Sequence, residues 1–493
     1  MRNRRLNFSQ RERLSDAPET AFAHKAVRPM SYGEWGDTTG GKALDADQLR
    51  YKLETALASC DSKEIRDLSR HFFKVSGTYS RAAYYLAHLP TYDILALPTV
   101  LKDDVDSERV LSDFVNVLDF FRKLRLKTTL KEVALDVIVD GVYYGYLRNS
   151  SGNVVLQKLP TDYCRTNYKI NGLPVVEFDV TYFDGVSTDN DIRVKILNSF
   201  PREVVSGYIE YKKGNLDKER NGVWVTLDPD SGIAFYFNDS HRPLLSNAFF
   251  SILDVLELKG IEKRKAEDNL FNLLIQKVPL TKDGEFIFDM TEAKAMHNNA
   301  AGIFRNTSKT DVLTTFADIE LLDLNESDLG QLDLSGWKKD VYGDLGISQQ
   351  LFSTEGNLAL EKSLMVDESL IFYLVEKFEA WINHQVDLRF NKTKTKYYFT
   401  ATFPPISNNN KIDMSKHYKE LATLGYSKFL PALALGQSQL EVMSSASFEN
   451  SILQLNNIME PLKSSHTQSA SKGGRPKKDD SEKSDKTIQN QNS

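Results

Sequence analysis

Residues 247–276 read Asn-Ala-Phe-Phe-Ser-Ile-Leu-Asp-Val-Leu-Glu-Leu-Lys-Gly-Ile-Glu-Lys-Arg-Lys-Ala-Glu-Asp-Asn-Leu-Phe-Asn-Leu-Leu-Ile-Gln. Apolar side chains mark both ends: Phe249, Phe250, Ile252, Leu253 and Leu256 at one, Leu270, Phe271, Leu274 and Ile275 at the other. Between them, Lys259 to Asp268 is polar almost all round. One helix over the whole stretch would run about 45 Å. Apolar ends and a polar waist suit a helix that bridges two packed regions, and its neighbours can be copies of itself. Ile261, Lys263, Lys265, Leu270 and Leu274 are then the expected contacts between copies. An ordinary surface helix with a solvated charge run also accounts for these residues. Gly260 argues against an unbroken element.

Working back toward the start, residues 1–47 are polar and glycine-rich, a composition expected to form a flexible arm. From Asp47 the spacing turns helical, with Leu49, Leu53 and Leu57 on one face. Further helices are expected over 65–75, 80–89, 113–126 and 130–139, the third burying Phe114, Val117, Leu118 and Phe121. From Val142 the period becomes that of strands: Tyr143–Leu147, Val154–Leu159, Val175–Phe178, Trp224–Leu227 and Ile233–Asn238, bounded by Gly, Pro, Asn and Asp. Asp228-Pro229-Asp230-Ser231-Gly232 is a turn by its chemistry, without the spacing of a calcium loop.

Working forward, Pro279 ends the long element. Residues 280–324 read as a compact insertion with strand-like ends around a polar middle, His297-Asn298-Asn299. A shorter helix is expected to end at Leu345. A soft stretch, 346–357, carries the uncharged polar residues Gln349, Gln350, Ser353 and Thr354. Residues 358–390 form a strong amphipathic helix through Leu360, Leu364, Ile371, Leu374, Phe378 and Trp381. A strand over 396–404 closes on Pro404-Pro405, a helical region follows to Leu462, and the Ser-, Lys- and Asn-rich end is expected to be disordered. The fold class is α+β, mainly helical.

Hydrophobic residues are 41% of the 493, enough for sizeable cores. The net charge is −6, which excludes a protein that grips nucleic acid by a broad basic surplus. Any contact with DNA is expected to be loose and local. The two cysteines, Cys60 and Cys164, are too few for a disulfide framework and read as buried or partly buried thiols of a reducing cytoplasm. No run reaches the ~18 apolar residues of a membrane span, and the basic start, Met1 to Arg5, is not followed by the apolar core of a signal peptide. There is no phosphate-binding P-loop, no His-Glu-x-x-His, no Cys-x-x-Cys pair and no Gly-x-Ser-x-Gly. No catalytic residue, metal ligand or cofactor is expected. The basic groups Arg122, Lys123, Arg125 and Lys127 close a helix, where cations suit the dipole.

Four stretches, in order, resemble the portal proteins of tailed double-stranded DNA phages of Gram-positive hosts. They are Ser76-Gly77-Thr78-Tyr79-Ser80-Arg81 with Leu95-Ala96-Leu97-Pro98; Leu159-Pro160-Thr161-Asp162-Tyr163-Cys164 with Phe178-Asp179 and Tyr182-Phe183-Asp184; Lys277-Val278-Pro279 with Asp283-Gly284-Glu285; and Gly473-Gly474-Arg475-Pro476-Lys477. The resemblance implies a ring-forming subunit, usually twelve copies, at one capsid vertex of a virion assembled in host cytoplasm. It implies a wing over 48–246, a stem helix over 247–277, a clip over 278–324 and a second stem helix over 325–345. It further implies a tunnel loop over 346–357, a wing helix and strand over 358–404, a crown over 405–462 and a disordered tail from 463. Gln349, Gln350, Ser353 and Thr354 would face the DNA. The implied partners are sister subunits, the packaging motor (terminase), the major capsid or scaffolding protein, the head–tail connector and double-stranded DNA, with no membrane. An acidic chain suits a channel through which phosphate must slide. The alternatives are another virion adaptor or tail or baseplate protein, and a cytoplasmic enzyme without a familiar motif.

Overall fold

A computed structural model describes residues 46–455, except 102–103, 151–152, 188, 216–222, 270–271, 278–286, 288, 306–309, 316–333, 348–357 and 392–395. The chain divides into two units, Met1–Gly436 and Gln437–Ser493. The expected N-terminal arm up to residue 45 and the expected disordered tail lie outside the described residues.

The first unit opens with three helices, α1 (Ala46–Ser59), α2 (Ser62–Val75) and α3 (Gly77–His88). The Asp61 carboxylate starts α2 by accepting from the N–H groups of Lys63 and Glu64. Ser76 serves two helices at once: its N–H donates to Phe72 O at the end of α2, and its hydroxyl accepts from Tyr79 N at the start of α3. The α2 face of Ile65, Leu68 and Phe72 is buried, as are Tyr79, Ala82, Ala83 and Leu86 of α3. Each such large apolar side chain contributes about 1.5–3 kcal/mol. Strand β1 (Leu95–Val100) precedes α4 (Ser107–Leu124), which is capped by Asp106 and buries the expected Phe114, Val117, Leu118 and Phe121. Helix α5 (Leu126–Asp140) ends at Gly141 in the left-handed conformation, φ +80. A Cβ at Gly141 would lie 2.2 Å from the His241 carbonyl oxygen, so only glycine fits this joint.

The β-rich region follows. Strands β2 (Val142–Ser150) and β3 (Asn153–Lys158) form an antiparallel pair. After them come β4 (Cys164–Arg165), β5 (Lys169–Ile170), β6 (Leu173–Pro174) and β7 (Glu177–Asp179). Three helices, α6 (Tyr182–Val186), α7 (Asn190–Leu197) and α8 (Arg202–Lys213), then precede β8 (Trp224–Thr226) and β9 (Gly232–Tyr236). Two three-stranded antiparallel sheets result, β3-β2-β9 and β4-β7-β8. Tyr144, Leu159, Phe178, Phe183, Phe200 and Tyr208 form the centre of one aromatic core beneath α6–α8.

Residues 247–276 are not one helix. Helix α9 spans Phe249–Asn269, and strand β10 spans Asn272–Lys277. The run Leu273-Leu274-Ile275 is short and apolar throughout, a pattern that periodicity cannot assign. Its pairing partner decides it: β10 lies parallel to β11 (Thr310–Thr315), with Leu274 opposite Val312, and the β-branched residues of that partner favour the extended form. Helix α10 (Met290–Arg305) joins the two strands, so the polar His297-Asn298-Asn299 lies within a helix. Next come α11 (Leu334–Asp344) and the long α12 (Leu358–Val386), which continues through a π turn to Asn391. The amphipathic pattern predicted α12 closely. Its Phe378 and Trp381 rings lie 4.8 and 5.7 Å from that of Phe235 on β9.

Strand β12 (Tyr397–Thr402) pairs antiparallel with β1, Pro98 opposite Phe399. Its outer edge is occupied by α12 side chains. The Asn391 amide exchanges hydrogen bonds with Phe399 N and O, the Asn383 amide does so with Ala401, and Glu379 accepts from Phe403 N. On β1, Leu101 N donates inward to Lys396 O, so the alternation turns Pro98 outward, where it has no N–H to offer. Helices α13 (Lys411–Thr423) and α14 (Phe429–Ala434) close the unit over a small core of Ile406, Tyr418 and Ala434. In the second unit, α15 (Gln439–Ser447) begins with a reciprocal Ser438–Glu441 capping box. The whole is α+β and mainly helical.

Candidate functional site: two helices and the insertion between them

Helix α9 is anchored at its start, and its burial falls away by Ile261. Phe249 is fully buried, its ring 4.9 Å from Phe72 and 5.9 Å from Tyr79. Ile252, Leu253 and Val255 complete the buried part. Arg50 on α1 clamps the next turn, reaching Asp254 Oδ1 at 2.5 Å and Glu257 Oε1 at 3.0 Å through Nη2. Hydrogen bonds that Arg50 donates to Asp254 and then Glu257 raise its pKa against the small cost of burial. These groups are about one-third exposed, so each pair contributes about 0.2–1 kcal/mol. Beyond them Ile261 is 44% exposed.

Helix α11 packs against α9, and the Ser251 hydroxyl donates to the Asp344 carboxylate between them. An open cleft of about 510 Å³ runs along the pair, lined by Ser251, Asp254, Trp337, Lys339, Asp340 and Asp344. Three carboxylates face one ammonium there, so the cleft is acidic. Among the described residues no cluster of His, Cys, Asp and Glu could hold a metal ion. Between the two helices the chain makes β10, α10 and β11. Asp289 shapes the entry to α10 by accepting from Met290 N and the Thr291 hydroxyl. Ala293 is its buried contact, whereas Met290 is exposed.

Of the residues singled out from the sequence, Ile261 lies exposed on α9 and Leu274 lies on β10 rather than on a helix. Lys263 and Lys265 belong to α9, but their side chains are not described. Leu270, Gln349, Gln350, Ser353 and Thr354 lie outside the described residues, as does all of 325–333. The expectation of two buried or partly buried thiols holds for one. Cys164 is buried, whereas Cys60 is exposed at a left-handed joint between α1 and α2, φ 54, where the chain bends outward.

A second charged cluster escaped the sequence reading. Arg66 and Arg70 of α2 meet Asp162 of the turn after β3, and Arg70 also meets Asp140 at the end of α5. Burial pushes the Asp162 carboxyl up, but Arg70 and Arg66 outweigh it and hold it below the usual carboxylate range. Nearby, Lys158 reaches Asp136 at 2.9 Å. Every one of these charges is matched, so the cluster fixes α2 against α5 rather than offering a reactive group. The available signals were the Asp140-Gly141 helix end and Asp162 within Leu-Pro-Thr-Asp, each too common to stand out. Among the described residues, no helix is long and apolar enough to cross a membrane. No family model matches the chain, and a search of curated proteins finds no significant match.

Proposed function

We propose that this chain is a portal-type subunit of a tailed double-stranded DNA phage, assembling as a ring that conducts DNA at one capsid vertex. The observation that supports it best is the order and packing of α9, the β10–α10–β11 insertion and α11. Two helices lie side by side, with a small strand–helix–strand unit carried between them, the arrangement expected of a stem that bears a clip. A parallel two-stranded sheet covered by one helix is marginal alone and gains from neighbours. The exposed Ile261 on α9 fits a helix flanked by sister copies. The net charge of −6 fits a channel wall that does not trap phosphate. In this reading the ring docks the packaging motor and then the connector, and the subunit performs no chemistry. Negative-stain imaging and mass photometry of the purified full chain test it. The expected result is a closed ring with a central hole. A compact monomer at every concentration would overturn the reading.

A further inference from the structure

The first described turns of α12 are held to the body by carboxylates, with little apolar packing. Between Lys362 and Leu370, Asp367 alone is buried, at 3% exposure. Of its apolar residues Leu364 is half-buried, whereas Met365 and Val366 point away, 67% and 68% exposed. Full apolar burial starts at Ile371 and Leu374. Inward, the Tyr85 hydroxyl of α3 donates to Asp367 Oδ2 at 3.1 Å. The next residue, Glu368, accepts from the hydroxyl of Ser407, which is fully buried. Ser407 sits in a turn pinned to the end of α3 by Thr91 N to Ile406 O and Asn408 N to Leu89 O. Three elements therefore meet at two adjacent acids with no cation among the contacts described.

We propose that Asp367 and Tyr85 form a proton-operated latch: with the carboxyl neutral, the first turns of α12 clamp onto α3 and the 404–410 turn, and with it ionised they loosen. Ionising a buried carboxylate without a cation is costly, and the charge of Glu368 beside it adds repulsion. Burial lifts the Asp367 carboxyl to about 6, against the Tyr85 hydrogen bond and with the help of Glu368. The groups facing it are Tyr85 from α3 and Glu368 from its own helix, and behind them the uncharged Asn409 and Ser407 of the turn contact Tyr85 and Glu368. Burial, and then the charge of Asp367, push the Tyr85 phenol above its usual range, so it stays neutral. A carboxyl that returns to an ordinary value when the helix end undocks favours docking as pH falls. The gain is about tenfold in the docking equilibrium between pH 7.5 and pH 5. The turns held this way lead directly into the buried part of α12, so the latch sets how firmly that helix end is seated.

Hydrogen exchange of the full chain, read by mass spectrometry and corrected for the intrinsic pH dependence of exchange, tests this. Protection of 362–370 should rise about tenfold from pH 7.5 to pH 5, while 374–386 stays constant as the internal reference. Asp367→Asn should remove the pH dependence and give the protected state at both values. Should that variant not fold, Glu368→Gln serves instead: losing its charge should move the midpoint to lower pH. Wild-type protection that ignores pH, an Asp367→Asn variant that keeps the pH dependence, or a midpoint unmoved in Glu368→Gln would each overturn the latch. The exchange pattern is read within one subunit, so failure of the ring reading would leave this result intact.

Discussion

Arg70 of α2 grips Asp140 of α5 by two parallel contacts, Nε to Oδ1 at 2.9 Å and Nη2 to Oδ2 at 3.1 Å. Its remaining nitrogen, Nη1, reaches Asp162 Oδ2 at 3.1 Å. Asp140 is 4% exposed at its side chain, so nothing else solvates that charge well. Arg70→Met is expected to cost about 3–5 kcal/mol, read from urea unfolding, because it leaves the buried Asp140 carboxylate without its paired guanidinium. Replacing Arg70 and Asp140 together by apolar residues should recover much of that loss. A single variant as stable as the parent would show that the fork contributes little.

Acid should dissolve the same junction. Asp162 has a folded pKa below its unfolded one, held down by Arg70 and Arg66 against burial. Its stabilising contribution is therefore complete above the unfolded value, near 4, and is lost as pH falls through the lower folded value. Stability followed by thermal unfolding from pH 5 to pH 2 should fall more steeply in the parent than in Asp162→Asn.

Gly141→Ala is expected to be among the most damaging small changes. It places a Cβ at φ +80 and 2.2 Å from the His241 carbonyl oxygen. The left-handed conformation costs an alanine roughly 1–2 kcal/mol, and the steric overlap adds about 1–3 more. A melting temperature unchanged from the parent would contradict the geometry at the end of α5.

Lys127 ties together two distant parts of the first unit. It pairs with Asp93, whose side chain is 1% exposed, and donates to the Gly436 carbonyl at 2.7 Å. Lys127→Met should destabilise the protein by about 1–3 kcal/mol, because the buried Asp93 carboxyl loses its partner. Asp93→Asn in the Lys127→Met background should restore part of the loss. Denaturant titration of the three variants checks both statements.

The ring reading makes its own demand on α9. Ile261 is exposed and far from the buried start of that helix, so Ile261→Asp should leave the subunit fold unchanged by circular dichroism. The same change should reduce ring assembly on native gels and in micrographs at least tenfold, as expected for a charge placed in a desolvated contact. Rings that form normally would remove Ile261 from the interface.

Local signals made most helices legible. The spacing of Ile371, Leu374, Phe378 and Trp381 marked α12 to within a few residues, and Phe114 to Phe121 did the same for α4. The alternation around Tyr143–Leu147 and Ile233–Asn238 marked β2 and β9. What failed was decided at a distance. Leu273-Leu274-Ile275 becomes a strand because Thr310–Thr315 lies beside it, and nothing within ten residues announces that. Helices α6 to α8 went unremarked because their apolar residues fall on the aromatic core of Phe178 and Phe200 without a clean stripe. For the candidate site, Ile261 was legible as part of a polar-waisted helix. Its neighbour Leu270 and the expected tunnel residues Gln349, Gln350, Ser353 and Thr354 fall outside the described residues. The Arg70–Asp140–Asp162 junction joins residues 70 and 92 positions apart, which a single sequence does not reveal.

The β1–β12 ribbon is stoppered on both sides, by Pro98 along one border and by the Asn383, Asn391 and Glu379 side chains along the other. A bare pair of strands is an invitation for a second chain to zip on, and from there to fibrils. Here an approaching strand meets a missing donor at Pro98 on one border and occupied backbone groups at Phe399 and Ala401 on the other. The ribbon is thereby a poor template for the edge-to-edge pairing that leads into insoluble matter.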